Sequence, residues 1–189
     1  MISQVFNIEN IYFMRKIKLL ALIVLITACN NNSVTTKLTY TNNFETEYAF
    51  NLNHAANVIR VNDAHSGWFV SKIDATNAFS TTFQMQVSEI SKNPLHYIHF
   101  SAWIKMEEEN AKPLLVVDVR DGAWNSLEWL PYDAFKEVEK LNEWHRVTYQ
   151  LDLTEKSRNN MSNFFRIYVS NGEKDAAYVD DICITFDEE

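Results

Sequence analysis

Apolar and polar residues alternate along most of the chain after residue 77. Six runs follow this period of two: residues 78–87, 97–106, 114–121, 145–153, 164–170 and 177–186. Turn-forming pairs such as Asn93-Pro94, Asp121-Gly122 and Asn171-Gly172 stand between them. A strand with one apolar side buries that side against a second layer, so the pattern predicts an all-β fold of two packed sheets. Only residues 133–141 have helical spacing.

The alternation also assigns side chains to the core or to the surface. In the first run, Phe79 lies on the apolar side, and Gln84 and Gln86 lie on the polar side. In the last run, Asp180 has the same parity as Ile182, which predicts a carboxylate that points into the core. Such a carboxylate is costly unless it is paired or bound to a metal ion.

Residues 14–29 form a second distinctive segment, in which basic residues precede an apolar run and a cysteine. The apolar run, 19–26, is too short to span a bilayer stably, and this order is typical of a secretory signal. Ile26-Thr27-Ala28-Cys29 resembles the lipobox of bacterial lipoproteins, which implies cleavage before Cys29 and a lipid (palmitate) anchor on it. Met14 is then the expected start. An uncleaved membrane anchor, or a plain signal peptide with an incidental cysteine, is the alternative.

Cleavage before Cys29 divides the chain into a signal peptide (1–28), a lipidated cysteine with a polar tether (29–39) and one domain (40–189). The formal net charge of −8 becomes −10 without residues 1–28, which contain three basic residues and one acidic residue. So acidic a domain is not expected to bind nucleic acid. Membrane attachment would come from the lipid. With Cys29 lipidated, Cys183 has no cysteine to pair with and is expected to be a packing residue.

Several short motifs occur in an order that resembles a known family. They are Asn43-Phe44-Glu45, Ala64-His65-Ser66-Gly67, and residues 80–83, 101–105, 143–147 and 178–184. The ordered set is similar to carbohydrate-binding modules of the CenC type and their galactose-binding-domain-like relatives, over about residues 40–187. The resemblance implies a jelly-roll β-sandwich. One sheet would contain 67–73, 95–106, 143–153 and 176–186, and the other 78–87, 112–121, 126–131 and 162–170.

The resemblance also implies a structural calcium ion. Its ligands would be Glu45, the backbone of Ser66 and Gly67, and Asp180, because oxygen donors suit Ca²⁺. Asp181 is expected to point outward. The alternative is that Asp180 accepts hydrogen bonds from backbone amides in a turn, without a metal ion.

In relatives that bind glycans along a groove, the second sheet is the concave one. Its outward side chains would be Gln84, Gln86, Asp118, Arg120, Arg166 and Tyr168, with Trp124 and Trp129 beside them. Aromatic faces stack on pyranose rings, and amides, carboxylates and guanidinium groups pair with hydroxyls, so the set predicts a sugar-binding groove. Two alternatives stay open: the charged residues form a cross-strand network, and Trp129 belongs to the core.

These expectations favour a non-catalytic lipoprotein of the bacterial envelope, in the outer membrane, that binds a polysaccharide or oligosaccharide and has separate envelope proteins as further partners. The alternatives are a structural, adhesive or protein-binding lipoprotein, and a small glycoside hydrolase or polysaccharide lyase. Hydrolysis requires two carboxylates facing across one groove. Asp118 and Glu128 are a conceivable pair that nothing in the sequence selects. The side of the membrane that the domain faces stays open.

Overall fold

The structure, a computed structural model, describes residues 36–46, 57–155 and 158–188. These residues form ten strands, one helical turn α1 (Val87–Ile90) and a 3-10 turn (Ala134–Glu137). The strands are β1 (Lys37–Asn42), β2 (Val58–Arg60), β3 (Phe69–Ile73), β4 (Phe83–Gln86), β5 (Leu95–Met106), β6 (Leu114–Arg120), β7 (Ser126–Tyr132), β8 (His145–Asp152), β9 (Phe164–Ser170) and β10 (Ala177–Glu188).

All strand pairs are antiparallel, and they build two sheets. The six-stranded sheet has the order β2-β3-β10-β5-β8, and β1 also pairs with β10. The four-stranded sheet has the order β4-β9-β6-β7. The predicted jelly-roll sandwich is therefore confirmed, and so is the predicted partition of strands between the sheets. Strands β1 and β2 are additional members of the six-stranded sheet.

The core lies between the two sheets, where the apolar side of each strand is buried. Strand β5 alternates as expected, with Ile98, Phe100, Ala102 and Ile104 fully buried. The facing strands β6 and β9 contribute their own buried rows to the same cluster. Burial of each large apolar side chain contributes roughly 1.5–3 kcal/mol, so this shared core holds the two sheets together.

The parity of strand β10 changes at a β-bulge between Asp180 and Cys183. Before the bulge, Val179 is a core residue, and after it, Ile182 is. Asp180 therefore lies opposite Trp103 on the outer face of the six-stranded sheet, and the prediction that it points into the core is wrong. The extra residue and the positive φ of Asp181 (44°) account for the shift. Asp180 is nevertheless fully buried, beneath the loop 61–68.

A similar shift occurs before strand β4. Phe79 forms an isolated bridge with Ser170, whereas Phe83 pairs with Ile167. Residues 79 and 83 are thus four positions apart, whereas their partners 170 and 167 are three apart. The one extra residue places Phe79 on the opposite side of the sheet from the one predicted. Phe79 is exposed, and its predicted place on the apolar side is wrong.

Several sequence expectations concern segments at the edges of the described structure. Cys29, the signal segment and residues 30–35 lie outside the described residues. Strand β1 begins at Lys37, within the range assigned to the tether. The helical spacing of 133–141 yields only the 3-10 turn. Among the described residues, no helix is long and apolar enough to cross a membrane.

Candidate functional site

The outer face of the four-stranded sheet carries the predicted groove residues in a common row. Gln84 pairs with Arg166, Arg166 with Asp118, and Asp118 with Trp129. One side chain from each of the four strands therefore lies along a line perpendicular to the strands, because directly paired residues project to the same face.

A parallel row lies on either side of this line. One contains Gln86, Phe164, Arg120 and Ser126, and the other contains Tyr168, Val116 and Pro131. The predicted outward parity of β4, β6 and β9 is thus correct. Phe164 was not among the predicted site residues, although its outward parity in the run 164–170 could have identified it.

A charge network occupies the centre of the face. Asp118 is only 1% exposed. Its Oδ1 accepts a hydrogen bond from Ser126 Oγ at 2.6 Å, and its Oδ2 accepts one from Arg120 Nε at 2.7 Å. Nη1 of Arg166 lies 3.9 Å from Oδ2. The cross-strand network left open by the sequence is therefore present, and the covered Asp118 positions the arginines.

An aromatic cluster lies at one end of the face. Trp129 is 52% exposed, which excludes the alternative that it is a core residue. Its indole N–H donates to the Tyr168 hydroxyl oxygen at 3.2 Å, and Phe79 meets Tyr168 edge-to-face at 5.3 Å. Tyr168 is itself buried beneath these neighbours, and burial raises the pKa of its hydroxyl. Tyr168 thus supports two exposed rings.

A second aromatic pair lies toward the opposite end. Trp124, in the β6–β7 loop, is 46% exposed, and its ring packs 5.2 Å from that of Phe164. Its carbonyl accepts a hydrogen bond from Arg120 Nη1 at 3.0 Å. The loop is held by Asp121, whose Oδ1 accepts the N–H groups of Ala123 and Asn125 at 2.9 Å. Its bonds to the Asn125 side chain and backbone lower the pKa of Asp121.

A cleft of about 290 Å³ opens beside the Phe79 end. It is lined by polar side chains together with Phe79: Asn57, Thr76, Asn77, Thr82 and Arg166. Asn57 is buried, yet its Oδ1 has no hydrogen-bond partner among the described residues, and the same holds for Arg166 Nε. The cleft thus places polar groups beside the aromatic cluster of Trp129, Tyr168 and Phe79.

The two carboxylates considered for hydrolysis do not face each other. Glu128 pairs with Val119, a core residue, and therefore projects to the opposite side of β7 from Trp129. Arg158 Nε donates to the Glu128 carboxylate at 2.8 Å. With Asp118 covered as well, this pair does not flank a groove in the way hydrolysis requires.

The outer face of the six-stranded sheet is arranged differently, because the loop 61–68 covers the part of it around Trp103. His65 stacks on Trp103 with ring centres 3.7 Å apart. Lys105 Nζ donates to the Asp63 carboxylate at 2.6 Å, and Trp144 Nε1 donates to the Asp63 carbonyl at 2.8 Å. The hydrogen bond from Lys105 lowers the pKa of Asp63. Trp103 and Trp144 therefore hold the loop to this face and have a structural role.

The predicted calcium ligands lie within this loop and beneath it, in two groups. Asp180 accepts hydrogen bonds from the N–H groups of Ser66 (2.9 Å) and Asp181 (2.7 Å). Glu45 Oε1 instead accepts hydrogen bonds from the backbone N–H groups of Trp68 (2.7 Å) and Phe69 (2.8 Å). The Glu45 side chain packs against Gly67.

A different set of side chains gathers around Asp180. A carboxylate oxygen of Asp180, a carboxylate oxygen of Asp181 and a ring nitrogen of His65 all lie within 4.8 Å of one another, and Ser66 Oγ donates to Asp181 at 2.8 Å. Glu45 does not belong to this group. The oxygens of Asp180 are occupied by protein donors, so the donor set fits a calcium ion only in part. This is the amide-capping arrangement given as the alternative, and calcium stays a prediction.

No family model matches the chain, and no curated protein matches it. Similar solved structures include the CBM22-1 xylan-binding domain of Xyn10C from Paenibacillus barcinonensis (14% identity, 70% of this chain and 81% of that chain, TM-score 0.44). They also include the C-terminal family 22 carbohydrate-binding module of Xyn10B from Clostridium thermocellum (12%, 68% and 78%, 0.41). A third is the xylan-binding module CBM15 (9%, 82% and 96%, 0.45). These similarities carry no conclusion about a ligand of this chain.

Proposed function

We propose that this chain binds carbohydrate, without catalysis, on the outer face of its four-stranded sheet. The carrying observation is Trp129, which remains half exposed although its indole N–H is held by Tyr168. A fixed, exposed ring of this kind offers a flat apolar face at little entropic cost. Trp124 and Phe79 extend the surface at its two ends.

The polar groups on the face complement these rings. Arg120 and Arg166 are oriented around Asp118, and Gln84 is exposed in the same row. Guanidinium and amide groups donate and accept hydrogen bonds in fixed planes, which suits the hydroxyl groups of a sugar. Exposed aromatic rings beside such groups are typical of a binding site.

The experiment that tests this proposal is retardation of the full chain in gels containing soluble polysaccharides, with Trp129→Ala and Trp124→Ala. Each change is expected to weaken retardation about tenfold, because it removes one stacking surface. Trp68→Ala is the matched control, since Trp68 is also 52% exposed but precedes β3 of the other sheet. Retardation that survives both groove variants would reject the proposed groove.

A protein-binding role is the second candidate, and Leu127 favours it. Leu127 is exposed between Trp124 and Trp129, and aromatic residues also anchor protein interfaces. The gels separate the two roles. A partner protein that depends on the same tryptophans, with no polysaccharide retarding the chain, would favour protein binding.

Attachment to the envelope is part of the proposal and rests on the lipobox-like sequence before Cys29. The lipid would hold the domain at the outer membrane, where it would capture glycans or assist separate envelope proteins. Labelling with a palmitate analogue is expected to mark the chain, and Cys29→Ser is expected to abolish the label. A labelled Cys29→Ser variant would contradict lipidation at this cysteine.

A further inference from the structure

The outer face of the four-stranded sheet carries a surplus positive charge. Among the outward positions of its four strands, the charged residues are Asp118, Arg120 and Arg166. The chain as a whole has a formal net charge of −8. The groove is thus a local exception to an acidic surface, and a local charge determines which ligand groups approach it.

The surplus charge belongs to Arg166. Both oxygens of Asp118 are already used, one by Ser126 and one by Arg120. Nη1 of Arg166 is 3.9 Å from Asp118, beyond hydrogen-bond distance, and no other carboxylate lies within 4.0 Å among the described residues. The Arg166 side chain is 27% exposed, so its guanidinium group is available to a ligand.

Arg166 also lines the cleft beside Phe79, and the composition of that cleft is selective. Its other polar lining residues are the amides Asn57 and Asn77 and the hydroxyls Thr76 and Thr82, and no acidic side chain of the described part of the chain lines it. Asn57 presents a buried amide whose Oδ1 lacks a partner among the described residues. Amides and hydroxyls with one guanidinium group match a sugar unit that carries a negative charge.

We infer that the ligand is a glycan with an anionic sugar unit, a carboxylate or a sulfate ester, which Arg166 binds at the mouth of this cleft. This inference rests on the proposed carbohydrate binding and adds the class of sugar. A carboxylate and a sulfate ester each offer a pair of anionic oxygens to a guanidinium group. Experiment must therefore show which of the two groups carries the charge.

The test uses the full chain, in a detergent without a sugar head group, in gels containing polygalacturonate, a sulfated galactan or neutral xylan. One of the anionic polymers is expected to retard the chain at a concentration about tenfold lower than xylan, because a charge-assisted hydrogen bond is stronger than a neutral one. The preference is expected to shrink at high ionic strength. Whichever anionic polymer is preferred identifies the source of the charge.

The variants compare an arginine on the outer face of each sheet. Arg166→Gln is expected to weaken retardation by the preferred anionic polymer about tenfold, and Arg166→Lys to weaken it less. Arg146→Gln, on β8 of the other sheet, is the matched control and is expected to change it less than about twofold. Melting temperatures check that the variants fold. If Arg166→Gln does not fold, Arg166→Lys and the wild-type comparison decide.

Equal retardation by xylan and both anionic polymers, or equal effects of Arg166→Gln and Arg146→Gln, would overturn the inference alone. Absence of retardation by every polysaccharide would overturn both this inference and the proposed function.

Discussion

The outer faces of the two sheets contain similar residues, which are covered by a loop on one sheet and uncovered on the other. On the six-stranded sheet, Trp103 and Lys105 lie beneath the loop 61–68, and the Lys105 side chain is 5% exposed. On the four-stranded sheet, Trp129 is half exposed and the Arg166 side chain is 27% exposed. One face is partly covered by the protein's own loop, whereas the other lacks such a cover among the described residues. The comparison separates structural tryptophans from those available to a ligand.

The covering loop is held to its face by specific polar contacts. Ser66 N–H donates to the buried Asp180, Lys105 pairs with Asp63, and Trp144 donates to the Asp63 carbonyl. Because these three buried polar groups meet partners within the protein, the arrangement contributes to stability and presents little to a ligand.

The largest expected effect is on stability, from Trp103→Ala. It removes the ring on which His65 stacks and is expected to lower the free energy of unfolding by about 3 kcal/mol. Trp129→Ala, at an exposed site, is expected to lower it by less than about 1 kcal/mol. Chemical denaturation measures both values. Equal losses would contradict the distinction between the faces.

A smaller loss is expected from Gly67→Ala, which tests whether the loop must lie as observed. Gly67 has a φ of +58°, and an added Cβ would collide with the Glu45 side chain that binds Trp68 and Phe69. The free energy of unfolding is expected to fall by about 2 kcal/mol. Gly172→Ala, where a Cβ meets no atom within 4 Å, is the control and is expected to be nearly neutral. A neutral Gly67→Ala would show that the loop is not fixed in this way.

The buried Asp180 offers a test of the calcium prediction. Burial raises its pKa to about 6, despite the backbone hydrogen bonds that lower it. Because the folded-state pKa exceeds the ordinary value of 3.8, this group stabilises the fold most below pH 3.8, and that contribution is lost as the pH rises through about 6.

A bound calcium ion would reverse this effect by favouring the ionised carboxylate. Carboxyl NMR titration without calcium is expected to give a pKa near 6 for Asp180. If calcium binds, its addition lowers the pKa by about one unit or more, and a chelator lowers the melting temperature. If calcium changes neither the pKa of Asp180 nor the melting temperature, the site is excluded.

Much of the fold could be predicted because burial between two sheets imposes a period of two on the sequence. The alternation in β5 and β9 therefore placed Ile98 in the core and Arg166 outside it, as the structure has them. The same parity brought Gln84, Asp118 and Arg166 to one face.

The remainder depended on features that local periodicity does not record. A bulge in β10 moved Asp180 to the outer face, and an extra residue before β4 exposed Phe79. Parity also cannot show that Asp118 is covered by its neighbours, or that Trp103 is covered by the loop 61–68, which comes much earlier in the chain. Those outcomes depend on tertiary contacts, and they determine which outward residues a ligand can reach.

We propose that the face with the uncovered tryptophans binds the glycan. The most direct measurement is an NMR spectrum of the indole N–H groups of all five tryptophans, recorded with and without a polysaccharide that retards the chain. The signals of Trp124 and Trp129 are expected to shift, while those of Trp68, Trp103 and Trp144 stay in place. Shifts confined to Trp68, Trp103 or Trp144 would contradict the claim.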